Sequence, residues 1–205
     1  MTEIKISDLS ALAARPADDD LFVIVDISEP LDVDKTKKVT FANLESPVKI
    51  IAVKYAEFTG TQSADVTAGS NIEITDLSIT HSLAKSTNKL LLISMVVGAS
   101  NEGSVRLGTA IAVDGTLVNT GAADGDRSRV TTYGRVGTGT INTILTQTLI
   151  TEYEPGATLS KIYTVRAINV SGSTQTIYIN RDQQDSNAVG IPRSYSMFYL
   201  IELEG

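Results

Sequence analysis

From residue 71 onward, apolar and polar positions alternate with a period close to two, in runs rich in Val, Ile, Thr and Tyr. Clusters of Gly, Asn, Asp and Ser separate these runs. A side-chain period of two is that of a β-strand with one face against a core. The pattern predicts strands over residues 71–83, 89–99, 104–113, 130–135, 143–153, 161–170, 176–180 and 195–202. Two turns are signalled within this region. Asp114-Gly115 between Val113 and Leu117 is a strong two-residue hairpin signal, and Ser171-Gly172 between Val170 and Thr176 is a second. Over 161–170 the alternation is imperfect, with Ile162, Ile168 and Val170 sharing a face, which implies that some outer positions are covered as well. Antiparallel strands in this number and spacing form a sandwich.

The first 45 residues are patterned differently. Ser7 can cap a short helix over 8–14 that Pro16 ends, a continuous apolar strand follows over 21–27, and a second strand occupies 37–41. This small α+β module holds ten acidic and five basic side chains, against 14 and 12 in the remainder. A core of that size commonly needs a partner surface. Residues 46–69 read as a connector, with helix or strand left open for 48–58. The predicted organisation is therefore an anchor module over 1–45, a connector over 46–69 and a mainly β, antiparallel, jelly-roll-like sandwich over 70–205.

Composition narrows the chemistry. Across 205 residues there is no cysteine and one histidine, His81, which excludes thiol nucleophiles, disulfides and Cys/His zinc sites. With a net charge of −7, a broad nucleic-acid footprint is not expected. The start of the chain lacks the pattern of a signal peptide, and the apolar runs fall short of the ~18 residues that a membrane span requires, so membrane insertion is not expected.

Each remaining candidate has a plain structural reading. His81 is expected to be structural or exposed. The loop Ala123-Asp124-Gly125-Asp126-Arg127-Ser128-Arg129 departs from the calcium-loop pattern, and its arginines offer internal ion pairs instead. The acid pairs Glu152/Glu154 and Asp182/Asp185 read as solvated strand ends rather than a glycosidase dyad. The glycine-rich stretch over 134–139 lies within a β region, and so reads as a loop rather than a phosphate cradle. No nucleophile motif is present, and neither an enzyme activity nor a cofactor is expected. An exposed patch of Asp124, Arg127, Tyr133 and Arg135 is the candidate receptor-binding loop, suited to stacking and charge-assisted hydrogen bonds with a glycan or protein.

Two segments carry a resemblance. Ile6-Ser7-Asp8-Leu9, the run from Asp18 to Asp26 and the run from Thr36 to Leu44 resemble the N-terminal module of bacteriophage tail-fibre and other virion proteins. Asn88 to Ile93, Ile111 to Thr116, Glu154 to Ala157, Tyr163, Ile177 to Arg181 and Ser194 to Glu202 resemble a C-terminal β-sandwich knob of phage fibres, especially those of aquatic phages. The resemblance implies a non-enzymatic virion component, assembled in the host cytoplasm as a homotrimer. It would be anchored to a tail, baseplate or major capsid protein through Ile6, Asp8, Leu9, Leu21, Phe22, Ile24, Val25, Asp26, Lys37 and Lys38. Two roles fit: a short tail-fibre-like appendage whose knob binds a host-surface polysaccharide, or a capsid decoration, cement or head-fibre protein that stabilises the shell.

Overall fold

The computed structural model describes residues 21–25, 36–40, 48–101, 106–135, 144–185 and 193–205. The chain divides into two compact units, Met1–Lys49 and Ile50–Gly205. In the first, β1 (Leu21–Val25) and β2 (Thr36–Thr40) form an antiparallel pair, with Ile24 opposite Lys37 and Val23 opposite Lys38. The helix expected over 8–14 lies outside the described residues.

The second unit is an antiparallel β-sandwich, and its described part contains strands and no helix. Its strands are β3 (Ile50–Phe58), β4 (Gln62–Val66), β5 (Asn71–His81), β6 (Lys89–Ser100), β7 (Arg106–Val113) and β8 (Thr116–Val118). They continue with β9 (Thr132–Arg135), β10 (Leu145–Tyr153), β11 (Lys161–Asn169), β12 (Gln175–Ile179) and β13 (Ser196–Leu203). One sheet runs β3-β13-β6-β12-β4, with β10 on the other edge of β6. The second runs β5-β11-β7-β8, with β9 sharing the outer edge of β7. Residues 46–69, expected as a connector, thus contribute β3 and β4 to the first sheet. β3 is hard to recognise from its sequence because both of its faces carry apolar residues, which blurs the period of two.

Alternation builds the core. Leu90, Leu92 and Val96 of β6, Phe198 and Leu200 of β13, and Ile177 and Ile179 of β12 point inward from the first sheet. They meet Leu107, Ile111 and Val113 of β7 and Tyr163, Val165 and Ala167 of β11. Removing side chains of this kind from water is the main term holding such a sandwich together. Tyr163 is so enclosed that burial pushes its phenol up to about 12.

Polar contacts close the sides. At one, the Lys54 amine donates to the Thr80 carbonyl, and Gln62 bonds the backbone of Glu73 and Thr75. At the other, the Thr132 hydroxyl bonds Gln147, and Asn119 bonds Thr151 and the Glu152 carbonyl.

The Asp114-Gly115 hairpin forms between β7 and β8, with φ of 49° and 83° at its two central residues. Positive φ at both is the requirement of a type I′ turn, which Asp-Gly meets at little cost. The hairpin expected at Ser171-Gly172 does not form: β11 and β12 belong to different sheets, and the chain crosses between them there. The physical reason is Asn169, whose side chain donates to the Val66 and Ser173 carbonyls and accepts from the Ser171 amide, turning the chain out of its sheet. Asn180 acts similarly at the end of β12. Its φ is 60°, it donates to the Phe58 and Gly60 carbonyls, and it accepts from the Ser196 hydroxyl.

Along β11, Ile162 and Ile168 share a face, as their parity implies, and it is the outer one. Ile162 is exposed and Ile168 buried, while Tyr163, Val165 and Ala167 are the positions that join the core. Asp76 at φ 62° and the register shift between Thr164 and Arg166 mark a bulge in the β5–β11 pair. Outer positions are covered here, as the imperfect alternation implied.

Candidate functional site

The sequence-chosen patch divides on folding. β7 presents Gly108, Ala110 and Ala112 to the outer side of the second sheet, and all of β7 beyond Arg106 is buried. The absence of a side chain at Gly108 lets another segment lie close. A Cβ there would fall 2.4 Å from Val130 Cγ1 and 3.0 Å from Val170 Cγ1, so the segment leading into β9 rests directly on the sheet. Backbone bonds tie it down at its base: the Thr131 amide donates to the Thr109 carbonyl, and the Gly121 amide to the Val130 carbonyl.

Between this segment and the 170–172 crossing lies an open pocket of about 440 Å³. Tyr133, Val130 and Val170 give it apolar surface, while Asp126, Arg127, Ser128 and Ser171 supply polar groups. Arg127 and Tyr133, chosen from sequence, therefore meet here. Asp124 does not line the pocket but holds Arg127 in an ion pair of 2.7 Å, and the Arg127 amide also donates to the Asp124 carbonyl. Both charged groups are well exposed, so the pair orients Arg127 more than it stabilises the fold. Arg135 lies two residues beyond Tyr133 along β9, exposed like it, and does not line the pocket. Gly134 between them faces inward, against Gln147.

Chemically, the pocket combines a half-exposed tyrosine ring, which offers a stacking plane, with guanidinium donors, a carboxylate and two hydroxyls. That set suits a polyhydroxylated ring, gripped by stacking and several weak hydrogen bonds. Among the described residues, no group of three or more His, Asp or Glu side chains is placed to hold a metal ion.

Of the residues assigned to anchoring, Leu21, Phe22, Ile24 and Val25 fall in β1 and Lys37 and Lys38 in β2. Ile6, Asp8, Leu9 and Asp26 lie outside the described residues. The acid pairs resolve differently from one another. Glu152 and Glu154 both reach Lys89, at 2.9 and 2.8 Å, and raise its pKa. Asp182, expected as a solvated strand end, is instead buried and accepts from the Asp185 amide at 2.7 Å, while Asp185 pairs with Arg193.

One cluster escaped the sequence reading. His81 Nε2 donates to Glu202 Oε2 at 2.8 Å, and Glu202 Oε1 accepts from the Ala84 amide at 2.8 Å and from Asn88 Nδ2 at 2.6 Å. His81, Asn88 and Glu202 are all buried. Burial alone would push the Glu202 carboxyl up, but the donors Asn88, Ala84 and His81 outweigh it and hold the group below the ordinary carboxylate range. His81 is thus structural: it joins the end of β5 to β13. The signal was in the alternation, because Glu202 shares its parity with Phe198 and Leu200.

No family model matches the chain, and no curated protein matches it. Solved structures do. A structure of infectious bursal disease virus Gt strain is similar over 86% of this chain, with 13% sequence identity and a TM-score of 0.36. A structure of infectious bursal disease virus Gx strain is similar over the same share, with 14% identity and a TM-score of 0.35. The matched region is 44% of each of those chains, so the protein spans less than half the length of the structures it resembles.

Proposed function

We propose that the protein is a non-enzymatic virion structural component, a short trimeric appendage of a bacteriophage that is anchored through residues 1–45 and displays the sandwich for host-surface recognition. The order of the two sequence resemblances, anchor before knob, supports the virion assignment. The observation that carries the recognition role is the pocket in which Arg127 and Tyr133 stand together beside Asp126 and Ser128. A surface polysaccharide fits that chemistry, and three linked copies would turn weak single contacts into useful avidity.

Adsorption of otherwise intact particles tests this reading. Arg127→Ala and Tyr133→Ala are expected to reduce adsorption while leaving the protein's copy number per particle unchanged. Normal adsorption by both variants would remove the recognition role from this pocket. Locating and counting the protein on the particle by electron microscopy separates the appendage from the decoration alternative. A tail position in tens of copies at most supports the appendage, whereas copies on every lattice position of the capsid support cementing.

A further inference from the structure

The outer face of the first sheet carries large apolar side chains that no described element of residues 50–205 lies across. Across β3, β13, β6 and β10, the register aligns Tyr55, Tyr199, Ile93 and Ile150 in one row. A neighbouring row holds Val53, Ile201 and Leu91, and the row on the other side holds Met197 and Met95. Their inward neighbours Phe198, Leu200, Leu90 and Leu92 are fully buried, which fixes the direction of these side chains by alternation. At the two edge strands, Val53 is 56% exposed and Ile150 65%. The Tyr55 and Tyr199 rings pack against each other, tilted by 39° with centroids 4.7 Å apart, and so join β3 to β13 on this face.

We propose that this face is where copies of the chain meet, the occupant being a second copy of the same sheet. The inference rests on the appendage reading only for self-association: identical faces pair about a two-fold axis and make a dimer, and a trimer needs a further, head-to-tail contact.

Charge and area argue for that occupant. The chain carries a net charge of −7, so identical copies repel wherever acidic groups face each other. No charged side chain lies in the three apolar rows except at their ends. Glu57 is bonded by the Tyr55 hydroxyl at one corner, and Glu152 is paired with Lys89 at the opposite one. A charged partner would find nothing to pair with across the centre, whereas an identical face supplies the same apolar, Tyr- and Met-rich surface that interface cores favour. Four strands about 4.8 Å apart and six residues at about 3.4 Å give a footprint on the order of 400 Å². Two such faces remove on the order of 1,000 Å² once side-chain relief is included, the lower limit for a specific interface.

Sedimentation velocity of the full-length chain through the micromolar range, with light scattering for mass, provides the test. Val53→Glu and Ile150→Glu alter residues already exposed in the single chain, so both variants are expected to fold. Leu159→Glu, at a position 72% exposed and outside the three rows, is the control. The expected result is a wild-type oligomer whose dissociation constant rises at least about tenfold in each face variant and does not change in the control. An oligomer unaffected by either face variant overturns the proposal and leaves a trimeric appendage standing on some other interface. A wild-type monomer throughout the range overturns the proposal and removes the trimer from the appendage reading as well, while the particle-location experiment remains an independent test of the virion role.

Discussion

The outward faces of the two sheets are built on opposite plans. On the second sheet, β7 turns Gly108, Ala110 and Ala112 outward, residues small enough that Val130 and Val170 can settle onto the backbone at Gly108. On the first, β6 and β13 turn out Leu91, Ile93, Met95, Met197, Tyr199 and Ile201, side chains as large as those of the core, and no described element of residues 50–205 lies over them. Small residues mark the face that the chain covers with itself, and the covering segment brings Arg127 and Tyr133 together over it. Large apolar residues mark the face left for another surface. One sheet supports a pocket, and the other is the face proposed for self-association.

Introducing a charge on the covered face is expected to have the largest effect. Ala110 is fully buried, so Ala110→Lys must either strand an ammonium group in the packed face or expel whatever lies over it. The expected loss is at least about 4 kcal/mol, with little soluble protein, as read by urea unfolding and expression yield. Near-normal stability would mean that the covering segment moves aside easily and that the two faces differ less than their packing suggests.

Next in size is a contrast within one strand. β13 turns Tyr199 and Ile201 out and Leu200 and Glu202 in, so Glu202→Gln probes the inner face directly beneath the bare one. Losing the carboxylate weakens charge-assisted bonds from His81, Asn88 and Ala84, for an expected cost of about 2–3 kcal/mol at neutral pH. Because the folded protein holds this carboxyl below its ordinary value of 4.5, its contribution is full above that value and is lost as pH falls through the lower folded one. The stability gap between wild type and Glu202→Gln is therefore expected to narrow below about pH 4.5 in acid titrations followed by circular dichroism. A gap independent of pH would assign the effect to packing alone.

These contrasts show how far local pattern reaches. The sandwich and most of its strands follow from period-two alternation, and Asp114-Gly115 specifies its turn because the φ requirement is local to two residues. Ser171-Gly172 misleads because the crossing is decided by Asn169, which bonds to Val66 about a hundred residues away. The shift in β5 at Asp76 hides for the same reason, since a bulge exists only relative to its partner strand. Half of the pocket was legible, because the exposed loop and strand carrying Arg127 and Tyr133 stand out as basic and aromatic. Val170 and Ser171, which close it, come from a turn that sequence reading assigned to a hairpin. β7 offered a subtler clue in its alternation of small with large residues, which records a close neighbour on one side.

Gly108→Ala should cost less than either earlier change, about 1–2 kcal/mol, because the new Cβ meets the Val130 side chain at 2.4 Å and Val130 is only partly buried. Shortening that neighbour in a Gly108→Ala/Val130→Ala double variant is expected to recover part of the loss. The double-mutant cycle then measures the contact itself. Additive costs would show that the covering segment does not bear on Gly108 and that the pocket above it is held by its backbone ties alone.

The smallest effect is expected on the bare face, and its smallness is the informative part. Ile150 is 65% exposed on an edge strand, so Ile150→Lys removes little buried surface and strands no charge; in dilute solution its unfolding free energy should stay within about 0.5 kcal/mol of wild type. Concentration is the variable that distinguishes a spare surface from one kept for assembly. If copies meet through this face, the wild-type melting temperature rises with protein concentration by mass action, and Ile150→Lys flattens that rise without lowering the dilute value. A large loss in dilute solution would instead mean that Ile150 is held by its own chain, and the opposition between the covered and the bare sheet would no longer stand.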